Sequence, residues 1–553
     1  MLGIRRDIPE SGKTLTVALG LAGVLGVVWL LGNAIAADAL RGVILLGAGL
    51  AVVMVAGKTA SDWRSGVYLF LTWLLFEDLV RKYLGNNMYV YFGKDALIGV
   101  TYVALLMARW RGDSTERFRV PFKYALGAFF LLGLAQFYNP GSPSFWYGVL
   151  GLKLYYYYIP LMFVGYALLR TERDLHRFLV VNMALAAVIA LVGILQAIVG
   201  LDFLNPHGGK DIEELGHLVR MTPSGLAVPR PPSVFVSDGR FGDYLTLAFI
   251  LGLGTAGYLL LRAKRGRKIV FPAVALVALA TILSGGRGAS AIGLVSALVL
   301  SAGMLWGAPP KLGEGYRLVK AIRRSLIFVT LALSLAVIAF PQVIGARWAF
   351  YRETISPDSP DSETAERAWN YPIGELHKAL SDHDWMFGHG IGTASLGGQY
   401  VSRIMEVPFS GVGVESGYGC MILEFGILGL VLWLVWTSSM MFEASKVLLK
   451  LKGTWAFPLA LSIFWFAFYL LFPRTYGGMA GYQDFVLNAY FWLLVGIFFR
   501  LPGLVGQDSG SRIQDSGDLG MSRSCFLLPS CSLVFYSCFM IPNKLLKKLI
   551  LSF

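Results

Sequence analysis

Charge is what this chain has least of. Only 15% of its 553 residues are charged, while 56% are hydrophobic and the mean hydropathy is +0.61. A soluble chain of this length would divide into several domains and carry roughly a quarter charged residues. The shortage excludes an ordinary water-soluble enzyme. Cysteine is scarce as well: Cys420 lies in an apolar stretch, and Cys525, Cys531 and Cys538 cluster near the end. No CxxC and no Cys/His spacing of the metal-binding kind occurs, so neither a disulfide framework nor a zinc site is indicated. GxxxxGK[ST] and HExxH are missing too. No clear internal repeat, the mark of many transporters, is visible.

What is present is a succession of long apolar runs. They fall near 15–36, 42–57, 66–80, 95–109, 122–138, 148–169, 178–200, 242–262, 269–284, 289–307, 325–341, 417–438, 455–472 and 487–500. The first follows Arg5 and Arg6, is too long for a signal-peptide core and lacks a convincing cleavage site. Read as spans, they predict an all-α, polytopic membrane protein with about fourteen transmembrane helices, twelve at the least. The connectors alternate between strongly basic ones and basic-poor, often longer ones. The basic set includes Arg109 to Lys123, Arg262 to Lys268, Lys311 to Arg324, Lys446 to Lys452, and Arg500. Short loops rich in Lys and Arg face the cytoplasm, which puts the N-terminus inside. The net charge of +14 therefore orients the chain and meets anionic lipid; no basic stripe interleaved with aromatics suggests nucleic acid.

Two connectors on the opposite, outer face are long: 201–240 and 342–412. Loops of that length are usually functional. In the second, Ser359-Pro360 predicts a helix start, Glu363 and Arg367 stand one turn apart, and helical patterning runs towards Leu380 despite Pro372. Gly388-His389-Gly390-Ile391-Gly392 then reads as a shaped loop, because glycine allows positive φ and close backbone approach. Residues 1–506 form the expected transmembrane domain, with 342–412 an extracytoplasmic loop inside it, and 507–553 a tail of different texture.

Polar candidates gather on the outer face, each with two readings. Arg287, in Leu283-Ser-Gly-Gly-Arg287-Gly-Ala, sits in a connector too short to reach far into water. It either snorkels to the interface or binds something that offsets its cost there. Arg230 and Arg240 bracket Pro231-Pro-Ser-Val-Phe-Val-Ser-Asp-Gly239. Their guanidinium forks suit phosphate oxygens. His389 is a solvated loop residue or a general base, since imidazole titrates near neutrality. Glu415 caps the helix that follows it or acts on an acceptor; Glu424, within that helix, reads as structural. Gly252-Leu-Gly254-Thr-Ala-Gly257 matches the dinucleotide fingerprint in letters, but it lies inside a span, where small residues let helices approach.

In this order, Arg230-Pro-Pro-Ser-Val-Phe-Val-Ser-Asp-Gly-Arg-Phe-Gly-Asp-Tyr-Leu, Leu283-Ser-Gly-Gly-Arg-Gly-Ala, Phe387-Gly-His-Gly-Ile-Gly-Thr and Glu415-Ser-Gly-Tyr with Leu423-Glu-Phe-Gly-Ile-Leu-Gly-Leu430 resemble the O-antigen ligase/polymerase family. The resemblance covers roughly 180–440; earlier helices match in hydropathy only. It implies a polytopic glycosyltransferase-type fold in the bacterial cytoplasmic (inner) membrane. The implied reaction is transfer of a glycan from an undecaprenyl (polyprenyl) pyrophosphate carrier to an acceptor hydroxyl, on a glycan, a lipid or another molecule. It proceeds at the outer face, without metal, nucleotide or other cofactor. Arg230 and Arg287 map to the family's pyrophosphate-binding arginines. Ligases typically carry a His, often followed by Asn, where this chain reads Glu415-Ser416, which favours a polymerase or another glycan transferase over a lipid A ligase. Glu415 or His389 is then the residue beside the acceptor hydroxyl. The rival is a transporter or flippase of lipid-linked oligosaccharide, which should carry polar groups near the bilayer midplane.

Overall fold

The computed structural model describes residues 53–84, 88–112, 117–205, 218–221, 225, 227–262, 265–308, 340–355, 366–398, 401 and 414–515, with isolated positions between 320 and 338. The expected spans at 15–36, most of 42–57 and most of 325–341 lie outside those residues, as does the tail beyond Asp515.

Nearly everything described is helical. The first helices are α1 (Trp63–Tyr83), α2 (Met88–Trp110), α3 (Lys123–Phe137), α4 (Phe145–Tyr156), α5 (Leu161–Leu168) and α6 (Glu172–Val199). A two-stranded antiparallel hairpin follows, β1 (Val219–Met221) and β2 (Ala227–Pro229), with Val219 opposite Pro229. Then come α7 (Asp238–Arg262), α8 (Arg267–Leu283), α9 (Arg287–Trp306), α10 (Pro341–Ile355) and α11 (Tyr371–Leu380). The last long helices are α12 (Gly417–Lys450), α13 (Phe457–Tyr469) and α14 (Phe485–Asp515), with short helical turns between the last two. Local sequence sets many boundaries. Thr171 and Asp174 form a capping box at the start of α6, each side chain accepting the other's backbone N–H. Gly266, with φ of 95°, turns the chain between α7 and α8.

Seven helices among the described residues are long and apolar enough to cross a membrane: 89–110, 172–199, 238–262, 287–306, 417–450, 457–477 and 485–507. The chain is thus an all-α multi-pass membrane protein, but the count of about fourteen is corrected. Chain chemistry explains the shortfall. The run at 66–80 becomes α1, which carries Arg64, Glu77, Asp78, Arg81 and Lys82. The run at 148–169 breaks at Pro160 into α4 and α5. Those at 122–138 and 269–284 yield helices of 15 and 17 residues. In the long connector, Pro372 is not carried inside a helix but sits in the first turn of α11, after a π-turn at Glu366–Asn370. The helix α10 and the hairpin in 201–240 were not foreseen.

Contacts sort the helix ends into two sets. At one end Arg240 meets Asp78 and Asp484, Arg474 meets Asp243, and His389 N–H donates to the Leu423 carbonyl. At the other, Arg262 pairs with Glu172, Gly453 N–H donates to Gly307 O, and Arg500 donates to Leu169 O. This division matches the alternation of basic and basic-poor connectors. Between the ends, small residues bring helices together. A Cβ on Gly254 would lie 2.3 Å from Ser462 Oγ, and one on Gly257 would lie 2.7 Å from Pro458 Cβ. Gly254 and Gly257 are therefore part of the α7–α13 packing face, while a Cβ on Gly252 would meet Val274 of α8 at 2.7 Å and Met183 of α6 at 2.9 Å.

Candidate functional site: an arginine cradle at one end of the bundle

The hairpin β1–β2 delivers Arg230. Its backbone N–H donates to Leu218 O at 2.6 Å, and its Nη2 lies 2.6 Å from the Asp238 carboxylate at the start of α7. The chain turns between α8 and α9 at Gly285 and Gly286, with φ of 70° at Gly285. A Cβ there would meet Arg230 Cγ at 3.3 Å, so glycine lets the arginine lie against the turn. Immediately beyond, Arg287 opens α9. Its N-cap, Gly286, offers no side chain to the first backbone N–H groups. The two arginines expected to work together are brought together, beside a helix N-terminus.

The outer wall comes from α10. Arg287 lies 5.2 Å from the Phe350 ring centre and Arg220 lies 5.8 Å from it. Arg347 is buried, and its Nε donates to Leu283 O at 2.6 Å while Nη2 donates to Pro229 O at 3.2 Å. Tyr351 donates to Ile282 O at 3.1 Å and stands 3.3 Å from Ser290 Oγ. Burial raises the Tyr351 phenol above its ordinary value, while its hydrogen bond with Ser290 and the charges of Arg347, Arg230 and Arg287 oppose the rise. Burial also lowers the Arg347 guanidinium. Several guanidinium groups around a helix N-terminus make a site for an anion with several oxygens, such as a phosphate or pyrophosphate.

Arg240, the third arginine expected to bind substrate, is placed in a different construction, between two carboxylates. Its Nη1 lies 2.5 Å from Asp78 Oδ2, its Nε lies 2.6 Å from Asp484 Oδ2, and its guanidinium sits 4.3 Å from the Phe485 ring centre. Asp78 also holds Arg81 at 3.1 Å. Close by, Glu77 pairs with Lys94 at 3.1 Å, Lys153 with Asp95 at 2.7 Å, and Arg474 takes both oxygens of Asp243. Apart from Asp78–Arg81 within α1, these are buried or half-buried pairs between different segments, and pairing is what makes such charges tolerable there.

Glu415 stands at the start of α12, 64% exposed, with Arg367 Nη1 3.4 Å from its carboxylate. It is not the helix cap. Ser416 takes that position, its Oγ accepting from Gly419 N–H, while its own N–H donates to Glu375 at 2.6 Å. Glu415 is therefore open to solvent.

His389 lies in a loop docked against a break in α12. Gly426 adopts φ of 73° and ψ of −179°, which interrupts the helix. The backbone groups released by the break are filled from the loop: Ile427 N–H donates to Trp385 O at 3.0 Å, and His389 N–H donates to Leu423 O at 2.7 Å. Gly388, Gly390 and Gly392 all take positive φ, as a shaped loop requires. The imidazole Nε2 lies 2.9 Å from Asp382 and Nδ1 lies 3.4 Å from Asp384. A half-buried imidazole held between two carboxylates is oriented by them. Glu424, buried beside the same loop, accepts from Ala394 N–H at 3.0 Å, in agreement with its structural reading.

Sequence reasoning missed Arg347, Tyr351 and Arg474. The first two lie on α10, whose mixed composition hides its register. Arg474 follows an apolar run and precedes Tyr476-Gly-Gly-Met-Ala-Gly481, a glycine cluster that could have flagged a tight approach. A Cβ on Gly481 would lie 2.7 Å from Arg474 Cγ. No family model matches this chain, and no curated protein matches it. What the fold defines is a multi-pass helical membrane protein; anything narrower rests on the residues of the site.

Proposed function

We propose that this chain is a membrane glycosyltransferase of the O-antigen ligase/polymerase kind, acting at the outer face of the bacterial cytoplasmic membrane. It transfers a glycan from a polyprenyl pyrophosphate carrier to an acceptor hydroxyl. The observation that carries this reading is the meeting of Arg230 and Arg287 beside the Gly285-Gly286 turn and the α9 N-terminus. A phosphoanhydride donor brings its own leaving group, so no nucleotide is needed. As the sugar–oxygen bond breaks, charge develops on the departing pyrophosphate, and fixed guanidinium groups stabilise it. Glu415, exposed beside α12, orients the acceptor hydroxyl and takes its proton. The wall contributed by α10 comes from the same long connector that supplies His389, and Glu415 follows that connector at the start of α12.

The transporter reading draws on the buried ion pairs between helices. Those around Arg240 lie towards the helix ends that carry the arginine cradle, and Arg262–Glu172 lies at the opposite ends, so these pairs do not line a path through the bundle. Purified protein in vesicles, given a lipid-pyrophosphate-linked oligosaccharide and a hydroxyl acceptor, tests both readings. Product with a new glycosidic bond supports transfer. Movement of intact donor between leaflets without new product overturns it.

A further inference from the structure

We infer that Arg347 is a positioning residue that holds the two arms of the arginine cradle in register. The inference rests on the reading that Arg230 and Arg287 bind a pyrophosphate. Pro229 ends β2 and directly precedes Arg230, while Leu283 ends α8 just before the turn that leads to Arg287. One planar guanidinium donates to the carbonyls of both, at 3.2 Å and 2.6 Å. The Leu283 carbonyl is among the last of α8, where helix carbonyls lack partners and the helix end favours positive charge. Arg347 is 2% exposed, so its hydrogen bonds face little competition from water.

A turn further along α10, Tyr351 repeats the device. It donates to Ile282 O in α8 and approaches Ser290 in the first turn of α9, on either side of the glycine turn. Between them in the chain, Phe350 lies under Arg287. A single face of α10 thus fixes the strand end before Arg230, the helix end before the turn, and the ring beneath Arg287. Arginine is required because its rigid fork serves two acceptors at once, whereas an ammonium is a single point of charge.

The test compares Arg347→Lys, Arg347→Met and Tyr351→Phe with wild type, each in lipid nanodiscs. Binding of inorganic pyrophosphate is measured by calorimetry per folded molecule, alongside thermal midpoints. A positioning role predicts that both Arg347 variants lose about tenfold or more in affinity, the scale of a lost hydrogen bond from a charged group, and Tyr351→Phe a few-fold, the scale of one lost neutral hydrogen bond. Full rescue by Arg347→Lys would mean that only its charge matters and overturns the inference. So would lowered thermal midpoints with unchanged affinity in all three variants, which would mark a purely structural residue. Failure of the underlying reading looks different: wild type itself would not bind pyrophosphate, or Arg287→Ala would bind it as wild type does.

Discussion

Arg230 and Arg240, ten positions apart on either side of residues 231–239, show how neighbours decide what an identical side chain does. Arg230 has one carboxylate partner and remains at the surface of the cradle, 25% exposed, whereas Arg240 is clamped between Asp78 and Asp484. Their substitutions should separate accordingly. Arg287→Ala is expected to lower glycan transfer by about a hundredfold or more with little loss of folded protein, the size of effect seen when a fixed charge-stabilising donor is removed. Arg230→Ala should impair it severely, and Lys at either position should rescue poorly because the fork is lost. Arg240→Ala should instead leave two buried carboxylates facing each other, costing about 3–5 kcal/mol of stability. The expected readout is a lower thermal midpoint with turnover per folded molecule largely kept. Turnover lost at wild-type stability would return Arg240 to the substrate site. Glu415→Gln should cost more in turnover than in donor binding, and His389→Ala less, since the imidazole is already held by Asp382 and Asp384. Steady-state kinetics on the pair decides this; unchanged turnover in Glu415→Gln removes the carboxylate from the mechanism. These roles were only partly legible in the chain. Arg287 and Arg230 stood out because a charge at a membrane boundary is conspicuous, but nothing in a linear sequence shows that Asp484 waits opposite Arg240.

At the scale of elements, the break in α12 is the feature that local pattern concealed most completely. Leu423-Glu-Phe-Gly-Ile-Leu-Gly reads as uninterrupted apolar helix, and Gly426 looks like a packing glycine. Its φ of 73° with ψ near 180° is a conformation open essentially to glycine alone. A Cβ there would also lie 2.1 Å from Met386 O. The loop at 385–392, by contrast, was recognisable as a shaped turn from its alternating glycines. What the alternation could not reveal was the partner, because the carbonyl of Leu423 and the N–H of Ile427 become available only once the helix breaks. The two features need each other, so Gly426→Ala should cost about 1–3 kcal/mol or more through strain and clash. It should also release the His389 loop, making the 385–392 segment the first site of limited proteolysis. An unchanged thermal midpoint and digestion pattern would show that the break tolerates a side chain and does not hold the loop. The same logic explains why the number of spans was overread. Hydropathy registers that 148–169 is apolar but not that Pro160 divides it.

Across the whole molecule, two independent patterns converge on one arrangement. The alternation of basic connectors is a property of the sequence, whereas the sorting of helix ends into two contact sets is a property of the packing. Each connector carrying the basic clusters that can be followed lies with the Arg262–Glu172 set, and those rich in the candidate residues lie with the Arg240–Asp484 set. Positive charge in short loops then fixes which set faces the cytoplasm. On the proposed function, the arginine cradle, Glu415 and the His389 loop should share the outer compartment, where no nucleotide donor is at hand and a carrier-linked pyrophosphate would serve as donor. Cysteine accessibility in intact cells tests this. Cys420 is buried, and Cys525, Cys531 and Cys538 can be changed to serine to give a silent background. Ser381→Cys, exposed at the end of α11, should then react with a membrane-impermeant maleimide added from outside, while Lys452→Cys, exposed after α12, should react only after the membrane is opened. The reverse pattern would place the cradle in the cytoplasm. It would refute transfer from an outer-leaflet carrier, because the same orientation that protects Lys452 is the one that presents Arg230 and Arg287 to that carrier.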